Sequence, residues 1–269
     1  MEALADETFR EIAALMHGSV GLMLAPPKKA LVASRLGPRI QRLGLAGYTD
    51  YLDLIRGGHD ADEFQVAVDL LTTHETYFFR ERRHFDLLEQ HLLAGPPRSV
   101  SVWSAACSYG DEAYSAAMLL AELEAQRRVQ PGWRVLATDV SDQVLREARE
   151  AVFPAERLRH VSPEQLKRHC LRGDGEAEGL VALREELAAR VAFGQLNLCE
   201  PIDVPGPFDV IFLRNVLIYF DAATKAAVVD AVLRHLKPGG LFFIGTAEGR
   251  LASKVPLQVL APGAYRRSA

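Results

Sequence analysis

The sequence predicts an α/β protein: a small all-helical amino-terminal region followed by a parallel, doubly wound sheet. Three observations carry this. After Gly95-Pro96-Pro97, which reads as a linker, strand-like apolar runs alternate with helical ones, the order that a parallel sheet with crossover helices requires. The run GPFDVIFLRNVLIYFD at 206–221 holds a buried strand that ends in two polar residues, Arg214 and Asn215. Upstream, Val135-Leu136-Ala137-Thr138 ends in Asp139, after an earlier strand at 100–103. Open α/β sheets bind ligands outside the carboxyl ends of their strands, so this set suggests a nucleoside-binding sheet.

The elements follow in order. Residues 1–93 read as helical, beginning with Phe9, Ile12, Ala13, Leu15 and Met16 at helical spacing. Pro26-Pro27 opens a second helix, where a missing N–H costs little. Gly37-Pro38 is expected to kink or split it. Amphipathic turns at 48–55 and 62–71 are separated by Gly57-Gly58, and another helix covers 84–93. Beyond the linker, strands are expected at 99–104, 134–139, 191–197, 208–213 and 241–245. Helices are expected at 111–127, 142–152 and 221–236, the last stopped by Lys237-Pro238-Gly239-Gly240. Residues 154–190 do not fit one crossover helix. With Ser162-Pro163, Arg172-Gly173-Asp174-Gly175 and an apolar run at 180–183, they read as an insertion with a small helix and a β-hairpin-like element.

Bulk properties exclude several classes. A net charge of −4 argues against general nucleic-acid binding, which needs a basic field. Cys107, Cys170 and Cys199 are odd in number and lack CxxC spacing, so no metal site or disulfide framework is expected and a reducing compartment is the simpler reading. The start, MEALADETF, lacks an apolar signal core. No apolar run approaches the ~20 residues of a membrane helix. The expectation is a cytoplasmic protein with no membrane insertion.

Each motif has a plain reading beside the functional one. Ala105-Ala106-Cys107-Ser108-Tyr109-Gly110 lets a ligand approach the backbone or is an ordinary strand–helix turn; with Gly110 alone, it is no dinucleotide fingerprint. Asp139 can accept from two ribose hydroxyls or act as a loop aspartate; Ser141 or Asp142 can cap the next helix and leave it free. Asp111 and Glu112 complement a helix dipole, or Glu112 binds a ligand ammonium. Asn197 bonds a base edge or closes its strand. In TTHETYFFRE (72–81), Phe78 and Phe79 read as core and His74 as a structural histidine or a ligand contact. Arg80 forms a surface salt bridge or clamps a carboxylate with its planar fork. Lys28, Arg35, Arg39 and Arg42 share a narrow helical arc with no acid between 26 and 43. They form a solvated basic face or dock an acidic partner.

At these residues the chain resembles the CheR family, the chemoreceptor glutamate methyltransferases that use S-adenosyl-L-methionine. The resemblance runs from about residue 10 to 267 and is strongest in TTHETYFFRE, VWSAACSYGDEAYS (102–115), ATDVSDQVLREAR (137–149), QLNL (195–198), GPFDVIFLRNVLIYFD and LKPGGLFFIGTAE (236–248). It implies a helical domain (1–93) joined to a Rossmann-like methyltransferase domain (94–269) with an inserted β-subdomain (154–190). It implies cofactor contacts from His74, Thr76, Arg80, Glu112, Asp139, Asn197, Leu198, Arg214 and Asn215, with Arg80 and Tyr219 near the transferred methyl and the incoming glutamate. The products are a glutamate methyl ester and S-adenosyl-L-homocysteine. The implied partners are the methylation helices of chemoreceptor cytoplasmic domains, docked by the basic arc. The segment RGDGEAEGLVALR (172–184) resembles members whose subdomain binds a receptor's C-terminal pentapeptide, which points to Gly173 and Gly175. A monomer is expected. His74 stands where enteric-type enzymes carry Asn, SYGDE replaces STGEE, and GTAE replaces GHSE. Two other readings are a methyltransferase acting on a small acid and a non-enzymatic cofactor-binding module. Intact Arg80, Asn215 and Tyr219 argue against the second.

Overall fold

The computed structural model describes residues 3–56, 61–249, 251 and 253–268. Helices α1 (Asp6–Val20), α2 (Lys29–Arg42), α3 (Tyr48–Arg56) and α4 (Ala61–Leu71) form the amino-terminal unit; Gly57-Gly58 lies outside the described residues. Their apolar stripes meet in one core, with Ile12, Met16, Val32, Leu36, Ile40 and Tyr51 fully shielded from solvent. Each such side chain contributes roughly 1.5–3 kcal/mol by leaving water. That gain explains a departure from expectation: α2 is not split at Gly37-Pro38 but runs through with Pro38 inside it. The carbonyl that loses its donor belongs to Ser34, which is exposed and therefore open to water, while Gly37 faces the core.

Helix α5 (Arg82–Ala94) packs differently. Its Phe85, Leu88 and Leu92 join the core of the sheet rather than that of α1–α4. The sheet then develops through β1 (Ser101–Ala105), α6 (Asp111–Ala125), β2 (Arg134–Asp139), α7 (Asp142–Glu150), β3 (Val152–Pro154), α8 (Pro163–His169), β4 (Cys170–Arg172), β5 (Leu180–Leu183), α9 (Glu185–Ala188) and β6 (Val191–Gln195). It ends with β7 (Phe208–Leu213), α10 (Ala222–Leu233), β8 (Leu236–Ile244), β9 (Leu257–Ala261) and β10 (Ala264–Arg267). The main sheet has seven strands in the order β6-β2-β1-β7-β8-β10-β9. In β7, Val210 and Phe212 face α5 and α6 while Ile211 and Leu213 face α10, the two-sided burial that makes central parallel strands read as continuous apolar runs.

Two expectations are corrected. The sheet is mixed, because β10 pairs antiparallel with both β8 and β9. Lys237-Pro238-Gly239-Gly240 does not stop α10, which ends at Leu233; these residues lie within β8, where its register against β7 shifts. Such a bulge accommodates Pro and Gly inside a strand. The insertion forms a separate three-stranded antiparallel sheet in the order β3-β5-β4, so β4 is an edge. Among the described residues no helix is long and apolar enough to cross a membrane.

Candidate cofactor and methyl-transfer site

At the carboxyl ends of β1, β2, β6 and β7, one cavity collects His74, Thr76, Arg80, Glu112, Asp139, Asn197, Leu198, Arg214, Asn215 and Tyr219. Residues far apart in sequence converge because parallel strands end on the same side. The backbone there is held away from its ordinary minima. Of the non-glycine residues with positive φ, Ala106, Ser108 and Asn215 line the cavity and Phe79 and Glu81 flank Arg80. Such strain persists only where the surroundings over-determine it.

Asp139 is buried, and its carboxylate accepts from the Ser108 N–H at 2.8 Å and the Ser141 N–H at 3.0 Å. Ser141, not Asp139, caps α7. A carboxylate has about four lone-pair positions, so acceptor capacity remains toward the cavity. Burial raises the Asp139 pKa, while neighbouring His74 and the backbone donors oppose the rise. The Ser108 hydroxyl beside it is buried without a partner. An acceptor pair plus an orphaned hydroxyl, next to the apolar wall of Val140, Leu196 and Leu198, suits a ribose diol carrying a base. The donor set thus fits S-adenosylmethionine.

Arg214 is the hinge of the polar network. Its guanidinium donates to Glu112 Oε2 at 3.0 Å and to the Arg80 carbonyl at 2.5 Å, and lies 3.7 Å from Glu81. Glu112 also accepts from the Ser104 hydroxyl at 2.6 Å; burial raises its pKa against the pull of Arg214. Glu81 in turn accepts from the Asn215 amide at 3.4 Å and the Thr246 N–H at 3.1 Å. The linker carrying Arg80 is therefore fastened to the end of β7. Among the described residues the Arg80 side chain itself donates only to the Glu75 carbonyl, at 2.5 Å, and is partly exposed.

His74 lies 2.7 Å from the Thr72 hydroxyl, which reaches the Val68 carbonyl at 2.9 Å. Thr72 donates to the carbonyl, so the His74 Nε2–H donates to Thr72 and Nδ1 is left as an acceptor. Burial lowers the His74 pKa, so the ring is neutral near pH 7. Asn197 lines the cavity, and its side-chain amide donates to the Ser19 carbonyl at 2.7 Å and to Glu200 at 3.2 Å and accepts from the Cys199 N–H. It closes the turn after β6 and ties it to α1.

Sequence reasoning did not find the roof. Val20 and Leu22 line the cavity, the Met23 N–H donates to the Tyr219 carbonyl at 2.9 Å, and His17 meets Asp221 at 2.6 Å. Between them Gly21 has φ +72°, and a Cβ there would stand 2.6 Å from Cys199 Sγ. A glycine directly after the apolar run of α1 is the signal for a left-handed helix end.

The basic arc is divided by the fold. Arg35 donates to the carbonyls of Leu70, Leu71 and Thr72 at 3.3, 3.0 and 2.7 Å, closing the end of α4. Arg39 forms a two-pronged pair with the buried Glu63. Both are engaged with α4, whose acid and carbonyls the local sequence around α2 did not reveal. Arg42 is exposed, and Lys28 stands 5.6 Å from the centre of the Tyr219 ring.

Comparison with known proteins agrees with this geometry. Residues 7–72 match the family described as "CheR methyltransferase, all-alpha domain" and residues 74–260 that described as "CheR methyltransferase, SAM binding domain". The chain is 43% identical to the chemotaxis protein methyltransferase of Escherichia coli, over 91% of this chain and 85% of that protein. It is 42% identical to that of Salmonella typhimurium over the same shares. It is 32% identical to that of Borreliella burgdorferi over 98% of this chain and 94% of that one. With this similarity extending through both domains and a cavity whose donors suit the cofactor, the chain belongs to the CheR family of S-adenosylmethionine-dependent methyltransferases.

Proposed function

We propose that the protein methylates glutamate side chains on the cytoplasmic domains of chemoreceptors, acting in the cytoplasm in chemotaxis adaptation. The single observation that carries this is Arg80, a guanidinium without a carboxylate partner among the described residues, lining the same cavity as Tyr219. Bound S-adenosylmethionine supplies an electrophilic methyl on a sulfonium and leaves as S-adenosylhomocysteine. A glutamate, with a reference pKa of ~4.3, is already ionised at neutral pH, so no general base is needed. The protein's task is alignment and exclusion of water. Arg80 orients the carboxylate, and one hydrogen bond serves better than a full clamp, which would blunt the nucleophile. Arg214 holds Arg80 in place through its carbonyl, and Asp139 fixes the ribose.

Lys28 and Arg42 are the cations of the arc that remain for an acidic receptor helix. The helical domain is best drawn as ending at Leu71, since α5 packs with the sheet. Pentapeptide capture fits the edge strand β4: a peptide can add to an exposed edge as a further strand. Gly173 keeps that edge compact by letting its N–H reach the Leu180 carbonyl at 2.9 Å while Ala177 approaches closely. Gly175 takes φ +54° in the turn. The deciding experiment is transfer of tritiated methyl to receptor cytoplasmic fragments. Base-labile label supports a glutamate ester; its absence on every fragment, with the cofactor bound, refutes the reading.

A further inference from the structure

Arg159 lies between the 3-10 turn Ala155–Leu158 and α8. Its guanidinium carbon stands 4.2 Å from the centroid of the Tyr77 ring, and that of Arg80 stands 6.0 Å from the same centroid. The two charges are thus within about 10 Å of each other. Arg80 lines the cofactor cavity; Arg159 is exposed outside it. The His160 ring packs on Tyr77 at 5.2 Å.

Neither arginine has an ion-pair partner among the described residues. Arg80 bonds only the Glu75 carbonyl, and Arg159 only the Glu156 carbonyl, at 3.4 Å. The shelf that carries them is fixed. The Phe78 N–H donates to the Arg157 carbonyl at 3.0 Å. Arg157 stacks on Tyr109 at 4.5 Å and pairs with the buried Asp111 at 2.6 Å. The spacing between the backbone segments that carry Arg80 and Arg159 is therefore a property of the fold. An exposed cation gains only about 0.5–1 kcal/mol from an aromatic face, which leaves both guanidinium forks open to an anion. The methyl acceptor satisfies one.

We propose that Arg159 is a specificity-determining residue that binds a second substrate carboxylate, about one helical turn from the glutamate being methylated. The inference rests on the glutamate-methyltransferase reading above. Side chains three or four residues apart on a helix have Cβ atoms roughly 5–6 Å apart. Two carboxylates at that spacing can engage two long arginines flanking one ring. The inserted segment thereby helps to choose the glutamate.

The test crosses two enzymes with two substrates at low ionic strength. One receptor fragment is unaltered; in the other, the acidic residues one turn from the methylated glutamate are changed to glutamine. With the unaltered fragment, Arg159→Ala should raise KM about two- to fivefold, the range of an exposed charge pair, at unchanged kcat and unchanged affinity for S-adenosylhomocysteine. Arg159→Lys should recover part of the loss. Neutralising the fragment should cost the wild-type enzyme the same factor and cost Arg159→Ala nothing further, the signature of direct coupling. An unchanged KM for Arg159→Ala, or a neutralisation that costs both enzymes equally, overturns the proposal. A wild-type enzyme that labels no receptor fragment refutes the glutamate reading, and this inference falls with it.

Discussion

Asp139→Asn tests the proposed contact between Asp139 and the ribose. The side chain keeps its size, and its remaining oxygen can still accept from the Ser108 or the Ser141 N–H, now at 2.8 and 3.0 Å from the two carboxylate oxygens. What is lost is the charge and one acceptor toward the ligand. A hydrogen bond to a charged group is worth about 1.5–3 kcal/mol, which corresponds to roughly 10- to 150-fold weaker binding. Asp139→Ala removes both acceptors, and each buried N–H left unpaired costs about 1–3 kcal/mol of stability. Calorimetric titration with S-adenosylhomocysteine, paired with chemical denaturation, separates the two effects. Asn should weaken binding and, with one of the two N–H groups left unpaired, cost about 1–3 kcal/mol of stability; Ala, leaving both unpaired, should cost more. Undiminished affinity in a folded Asn variant would refute the assignment of Asp139 to the ribose.

Arg80→Ala should lower methyl transfer at least tenfold, in line with ~10²-fold losses for misplaced reactants, while S-adenosylhomocysteine affinity changes far less; Arg80→Lys should recover little, because it lacks the planar fork. Equal losses in transfer and affinity would assign Arg80 to the cofactor. Gly21→Ala forces a Cβ against Cys199 and Phe220 at φ +72° and should loosen the roof at a cost of roughly 1–2 kcal/mol. Faster release of S-adenosylhomocysteine in stopped flow is the expected readout, and an unchanged rate would separate the roof from cofactor exchange. Arg39→Glu should destabilise the helical unit by about 3 kcal/mol by leaving Glu63 buried beside a like charge. Lys28→Glu should spare stability and slow receptor methylation in a salt-dependent way; denaturation midpoints that rank the two oppositely would overturn this division of the arc. Burial pushes the Asp111 carboxyl up to about 6 from 3.8, against the pull of Arg157. Between those values the folded state binds more protons than the unfolded one, so this contribution to stability is full below pH 3.8 and lost as pH rises through 6. Asp111→Asn should flatten that part of the stability–pH curve, and an identical slope would count against the shift.

The strands that carry the site were legible because their ends announce themselves. Val210 to Leu213 and Val135 to Thr138 are apolar on both faces, and a polar residue appears in each where the sheet stops. Helix ends at Ser141 and Asp221 are equally local matters of capping. The hairpin of β9 and β10 was missed because its outer strand, the edge strand β9, needs little burial: Val259 is 67% exposed. Their signal was the Pro262-Gly263 turn, with φ +71° at the glycine. Gly37-Pro38 also pointed to a kink or split in α2, which instead runs through because a buried stripe outweighs one lost hydrogen bond.

By itself, the sequence determined the family, the cofactor and the order of the elements through β8. Only the tertiary structure decided how the residues of the site divide their work. Hydrogen bonds and charge pairs are satisfied by whatever lies nearby in space. Arg35 and Arg39 read as a solvated face or a docking surface in sequence, and α4 beside them engages both. The Asn197 side chain likewise meets the Ser19 carbonyl of α1, a partner far away in sequence. The roof over the cavity and the approach of Arg80 and Arg159 to the Tyr77 ring depend on segments that meet only when the chain packs together. A linear pattern records which chemistry is present, and packing decides which of its groups remain unspent.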